Sequence, residues 1–276
     1  MDLATALAIA GTAGNAARSS GSPHQGGNSG QLGLLRDPGH PFAAANIGMA
    51  LLYRAELRPT KLELLESWAP IQPWFVGDAS AGLISVASFR FDDPEGEVGI
   101  ETLLVRAGDG PVLQVPLTYR GAPLPGGDDL LIGTLQHSVL GQRWVYDAVG
   151  DPAYVVAAAT AALTGGVQAE QFIENDGELV VREPTTFVIG SGRHGVRVPP
   201  TPPMDTISTR YELGATILET KHLRLVVARW LSGLTSTPNH LCALGASDGA
   251  ETHTVTGTWT GHPEPEILIF VAFLVQ

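Results

Sequence analysis

The strongest constraint on this chain is one helix that has to lie inside it. Residues 143–166 read RWVYDAVGDPAYVVAAATAALTGG. Asp151 stands where an N-cap belongs, Pro152 at the first helical position and Gly165 just past the end, which predicts a helix over residues 152–164. Between those signals lie Tyr154, Val155, Val156, Ala157, Ala158, Ala159, Ala161, Ala162 and Leu163. A helix that is apolar on nearly every side is a buried one. The rest of the chain must therefore supply sheet for it to pack on.

That sheet is legible as alternation. Residues 50–58 alternate as a strand, and Thr60-Lys61-Leu62-Glu63 then forms a capping box at the start of a short helix with Leu62, Leu65 and Trp68 on one face. Pro70 ends it near Ala69. Strands are expected over 83–91, 98–106 and 112–119, joined by a turn at 92–96 and by Asp109-Gly110. In the third, Leu113, Val115, Leu117 and Tyr119 share one face, and Gln114, Thr118 and Arg120 share the other. Residues 130–139 and 142–147 flank Gly141 as a hairpin or a strand–turn–helix. Asn175-Asp176-Gly177 marks a hairpin turn between 170–174 and 178–182, and 185–189 is a further strand. Beyond a glycine- and proline-rich loop at 190–203, strands are expected over 206–218, 223–231, 240–246, 252–259 and 266–274, pairing in sequence into a small antiparallel sheet. The fold class is α+β, a mostly antiparallel sheet packed on a few helices.

With 276 residues the chain has room for one large domain or two small ones. Residues 1–48, rich in Ala, Gly and Ser, have no usable period and are expected to form a disordered extension. Their apolar stretch at 3–10 lacks the basic flank of a signal peptide. The loop at 190–203 is the expected boundary between a first domain, 49–190, and a β region, 204–276. A formal charge of −12, from 16 basic and 28 acidic residues, argues against nucleic acid or an anionic membrane as partner. No apolar run approaches the ~20 residues of a membrane-spanning helix. One cysteine, Cys242, permits no internal disulfide and fits a reducing, cytoplasmic setting.

Few motifs carry chemistry. Gly190-Ser191-Gly192-Arg193-His194-Gly195 matches the dinucleotide fingerprint, but Val196-Arg197-Val198-Pro199-Pro200 follows where a helix is required, so a turn is expected. His137-Ser138 with Asp147 suggests a hydrolase triad without the nucleophile elbow; satisfied hairpin residues are the alternative. The histidines lack metal-ligand spacing. Trp74, Trp144 and Tyr146 beside Arg120, Arg143 and Asp147 suit a sugar site, with rings stacking on the pyranose and charged groups bonding its hydroxyls; core packing is the alternative for rings of this size. These six are the candidate ligand-binding residues. No catalytic residue and no metal ligand is assigned.

Three stretches, LLESWAPIQPWFVG at 64–77, VLQVPLTYRGAPLPGGDDLLIG at 112–133 and the VYDAVGDP-containing 144–163, together resemble the N-terminal cap of bacterial maltokinases and the stand-alone proteins that carry a cap-like domain. The resemblance spans about 49–190, and TVTGTWTG at 254–261 is similar to the tail of the stand-alone proteins. It implies a kinase N-lobe-like or cap-like fold and a link to maltose, trehalose and α-glucan metabolism. Maltokinases use Mg-ATP, but the cap is not their catalytic machinery. Where those kinases have basic residues around the first motif, this chain has Pro73 and Asp78. When 223–231 is laid on the strand carrying the nucleotide-binding lysine, that place holds Val226, which cannot hold phosphates. No His-x-Asp occurs, and Asp93-Pro94-Glu95, an Asp-x-Glu, falls in an early turn. The expectation is a non-catalytic accessory or regulatory protein that needs no cofactor, with a pathway protein, an α-glucan or a small sugar as partner. The alternatives are an incomplete or diverged sugar kinase using Mg-ATP, and a carbohydrate-binding module.

Overall fold

Both helix signals are built. In the computed structural model, which describes residues 49–52, 56–175, 178–231 and 251–274, the Glu63 amide donates to Thr60 Oγ1 at 3.2 Å and the Thr60 amide to Glu63 Oε2 at 2.7 Å. The expected extension at 1–48, the turn residues Asp176 and Gly177, the strand at 240–246 with Cys242, and residues 53–55 of the first strand lie outside the described residues.

The first half of the chain runs β1 (Met49–Leu52), β2 (Leu57–Arg58), α1 (Lys61–Trp68), β3 (Leu83–Phe91), β4 (Gly99–Ala107), β5 (Val112–Arg120), β6 (Leu131–His137), β7 (Gly141–Asp147) and α2 (Pro152–Thr164). The second runs β8 (Glu170–Asn175), β9 (Glu178–Val181), β10 (Thr186–Gly190), β11 (Ser208–Glu212), β12 (Ala215–Glu219), β13 (Leu223–Ala228), β14 (Trp230–Leu231), β15 (Thr252–Trp259) and β16 (His262–Phe273). A seven-stranded sheet has the order β2-β6-β7-β5-β4-β3, with β14 alongside β5. A six-stranded sheet has the order β10-β15-β16-β13-β12-β11, and β1-β8-β9 form a third. Among the described residues every pairing is antiparallel except β1 with β8. The fold is α+β with antiparallel sheet predominant.

The pleat of the seven-stranded sheet sorts its residues into two cores. Leu103, Val105, Leu113, Val115 and Leu117 face a cluster with Leu65 of α1 and Trp74. On the opposite face, Phe89, Phe91, Ile100 and Leu104 join α2 and the inner residues of the six-stranded sheet, Leu225, Val226, Ile269 and Val271 among them. Helix α2 is buried along its length, as its composition requires, and sits against β10, β15 and β16.

The expected polar face of β5 is not solvated: Gln114 and Thr118 are fully buried. Gln114 Nε2 donates to the carbonyls of Ala228 on β13, at 2.8 Å, and Leu268 on β16, at 2.9 Å. Leu268 sits where the β15–β16 register shifts, so the amide supplies a donor that the bulged ladder lacks there. Gln114 thus ties the two larger sheets together. Gln114→Leu should destabilise the protein by roughly 2–4 kcal/mol, because two buried carbonyls lose their donor. Urea unfolding with an unchanged m-value measures it; a loss under about 1 kcal/mol would show that these carbonyls find other donors.

Two expected strands are divided. Residues 206–218 form β11 and β12 around Leu213 and Gly214, at φ +48° and +82°. Residues 223–231 break at Arg229, where the chain leaves the six-stranded sheet and pairs Trp230 and Leu231 with β5. The C-terminal pairing is also not sequential throughout, since β13 pairs with β16 and β10 joins through β15.

Candidate functional site

The six sugar-site candidates do not all lie on one face: Arg120, Trp144 and Tyr146 share one side of the β5–β7 pair, and Arg143 is on the other. Strand β7 alternates, so Arg143 and Val145 point to one face and Trp144 and Tyr146 to the other. Tyr146 is buried, and its hydroxyl accepts from the Leu124 amide at 2.8 Å. Trp74 is buried beneath the Arg229 guanidinium, 4.8 Å from its ring centroid, and its carbonyl accepts from Trp230 Nε1. Trp144 is half-buried and lies opposite Arg120 across the β5–β7 pair.

Both acids at this end of the hairpin hold the fold together. Asp147 accepts from Arg229 Nη2 at 2.6 Å. Arg229 itself is only 1% exposed and also donates to Thr216 Oγ1 at 2.8 Å. Asp151, with no exposure, takes Arg120 Nε at 2.8 Å, Arg120 Nη2 at 2.6 Å, Thr118 Oγ1 at 2.7 Å and the Ala153 amide at 2.9 Å. Burial works against the Arg120 charge, but its bonds and attraction to Asp151 hold its pKa above the ordinary arginine value.

The other motifs resolve into local structure. Asp93 accepts from the amides of Glu95, Glu97 and Val98, which builds the 92–96 turn. His137 Nδ1 accepts from the Val139 and Leu140 amides, and Ser138 Oγ from the Glu56 amide. Asp147 lies six residues along β7 from the partner of His137, about 20 Å away, so no triad assembles. Among the described residues no group of three or more His, Cys, Asp or Glu is placed to hold a metal ion.

Arg143 does reach a cavity, one that the motifs did not announce. It measures about 50 Å³ and is lined by Leu57, Lys61, Arg90, Gly99, Tyr119 and Arg143, with Leu135, His137, Leu140 and Glu97 completing its wall. Behind the wall, Glu101 accepts from Lys61 Nζ at 2.6 and 2.9 Å and from the Tyr119 hydroxyl at 2.9 Å. Burial alone would raise the Glu101 carboxyl; Lys61, Arg90 and these hydrogen bonds hold it below its ordinary value. Burial, reinforced by Glu101, pushes the Tyr119 phenol well above its ordinary value, so it remains a donor. Burial lowers Arg90 and Arg143, the former opposed by Glu101. Perturbed groups converging on one cavity mark a functional candidate. A larger groove of about 540 Å³, lined by Val167, Phe187, Val188 and Ile189 among others, offers mainly apolar surface.

Lys61, Arg90, Glu101 and Tyr119 come from α1, β3, β4 and β5, so no sequence spacing groups them. The available signal was Arg90 between Phe89 and Phe91, a charge on the alternate face of a strand that proves covered on both sides.

No curated protein matches the chain. Residues 68–151, which contain all six sugar-site candidates as well as Arg90, Glu101 and Tyr119, match the maltokinase N-terminal cap domain family, a shorter stretch than the 49–190 over which the motifs suggested a resemblance.

Proposed function

We propose that this protein is a non-catalytic accessory or regulatory protein of maltose, trehalose or α-glucan metabolism, cytoplasmic, and acting by binding rather than by phosphoryl transfer. The family match supports the metabolic setting. The observation that carries the non-catalytic part is the use made of the four acids of the matched stretch that are not exposed. Phosphoryl transfer needs carboxylates presented to metal and to the attacking hydroxyl. Here Glu101, Asp147 and Asp151 are taken up by Lys61, Arg229 and Arg120, and Asp93 by backbone amides. Val226, at the place of the nucleotide-binding lysine, lies inside the six-stranded sheet with no exposure.

The purified chain mixed with maltose and Mg-ATP should release no more ADP than it does without maltose, as followed by a coupled assay. Maltose-dependent ADP release at enzymatic rates would overturn this reading and restore the kinase alternative.

A further inference from the structure

Arg90 brings buried, unbonded donors to the cavity wall. It is 2% exposed, and its Nε and Nη1 are buried without a hydrogen-bond partner. A guanidinium presents five donors and stays charged at neutral pH. Leaving two nitrogens of a cation buried and unbonded is costly, and native structures seldom tolerate it without an anion or ordered water at hand. The carboxylate that attracts Arg90 most, Glu101, is engaged by Lys61 and Tyr119, and Asp92 attracts it more weakly. Three cations, Lys61, Arg90 and Arg143, meet at the cavity, against Glu101 behind its wall, Glu97 on its rim and exposed Asp92, which also attracts Arg90.

The backbone keeps this guanidinium open. Gly99 faces it, and a Cβ there would lie 3.6 Å from Arg90 Nη2 and 3.3 Å from Tyr119. A glycine inside a strand often marks a place where something approaches closely. The space itself, about 50 Å³, compares with the roughly 10–15 Å³ that one water requires. It is small for a nucleotide or a disaccharide and suited to a single charged group.

We propose that this cavity binds a small oxyanion, a phosphate or carboxylate group either free or at the end of a metabolite, seated on the Arg90 guanidinium with Arg143 and Lys61 beside it. The planar fork of Arg90 matches two oxygens of either group. Lys61, fixed by Glu101, contributes charge at a set position, and half-buried Arg143 reaches in from the rim. Glu97, exposed on the same rim, disfavours anions that are not held by the fork. The inference rests on Arg90 and its cavity and is independent of the α-glucan reading.

Inorganic phosphate and sodium acetate, each titrated into the full chain at fixed ionic strength with chloride as the balancing ion, test it by calorimetry and by melting temperature. Saturable binding of at least one, with Kd in the millimolar range or tighter, is expected, and the tighter of the two identifies the group. Arg90→Gln should weaken it about tenfold or more and Arg143→Gln severalfold. Should Arg90→Gln not fold, Arg90→Lys, which keeps the charge and loses the fork, takes its place. No saturation by either anion up to about 20 mM would mean that the cavity holds only water and would overturn the proposal. Undiminished binding by the Arg90 variant would overturn it equally.

Discussion

Replacing Asp151 by alanine should destabilise the protein by about 3–5 kcal/mol, as expected when one partner of a buried ion pair is removed. Its carboxylate, fully buried, meets four donors: two from Arg120, one from Thr118 and the amide of Ala153. The last of these is the N-cap of α2, whose loss alone is worth about 0.5–2 kcal/mol. The Arg120 side chain, about one-fifth exposed, would be left with its charge uncompensated. The carboxylate also sits at the positive end of a helix that carries no acidic residue in its first turn. Asp151→Asn separates these contributions. It keeps an acceptor for the Ala153 amide and loses the charge facing Arg120, so it should cost less, about 1.5–3 kcal/mol, the range for hydrogen bonds to charged groups. Chemical denaturation of both variants reads the difference. Equal losses would mean that the charge is immaterial and that capping alone matters; a loss under about 1 kcal/mol for the alanine variant would contradict the account of this site.

Asp151 also shows where sequence reading succeeds and where it stops. Its role as helix cap was legible because capping is local: Asp151, Pro152 and Gly165 signal the ends of α2 without knowledge of anything distant. The Thr60–Glu63 box was legible for the same reason. What could not be read was that Asp151 simultaneously anchors Arg120, because that contact depends on how β5 is stacked against the start of α2. The Asp147–Arg229 pair is of the same kind, joining β7 to the point where the chain changes sheets. Residues 223–231 read as one mostly apolar strand with arginines at 224 and 229, and nothing local in them says that Arg229 stands between two different ladders. Leu213 hid a hairpin for a related reason: leucine is not a residue that favours positive φ, so the Leu213-Gly214 turn carries only half of its usual signal.

The sugar-site grouping agrees with the period of a strand only in part: Trp144 and Tyr146 share a face, with Arg120 across from Trp144, while Arg143 lies on the other. In β7, Arg143 and Trp144 necessarily face opposite ways, and so do Trp144 and Val145. Alternation by itself therefore separates Arg143 from Trp144 and Tyr146. It does not locate Arg90, which shares its cavity with residues from six other elements, β2, α1, β4, β5, β6 and β7.

The glycine motif leads to the other large expected effect. Gly190-Ser191-Gly192 lies at the carbonyl end of α2, the reverse of the amide end that cradles phosphate in a dinucleotide site. The Gly192 amide donates to Ala162 O at 2.8 Å, the Arg193 amide to Leu163 O at 3.1 Å, and the Gly190 amide to Gly166 O at 2.8 Å. The first two bonds satisfy carbonyls that the helix leaves without partners at its end, and the third ties the loop to Gly166 just beyond it. For them to form, the loop must touch the helix backbone. A Cβ on Gly190 would lie 1.8 Å from Ala161 O, and one on Gly192 2.0 Å from Leu163 O. Both obstacles are main chain, so no rotamer change relieves them. Gly190→Ala and Gly192→Ala should each cost at least about 4 kcal/mol, in the range reserved for specific structural damage, and at that level the chain is expected to be largely insoluble or to melt far below wild type. Gly195→Ala supplies the contrast within the same motif. Its Cβ would meet nothing within 4 Å, and only its φ of +91° opposes a side chain, so a cost of about 1–2 kcal/mol is expected. A dinucleotide-type loop would weigh the three glycines differently, since it needs all three for ligand approach and packing. If Gly192→Ala melted within a few degrees of wild type, or if Gly195→Ala were the most damaging of the three, the close seat of this loop on the end of α2 would be refuted.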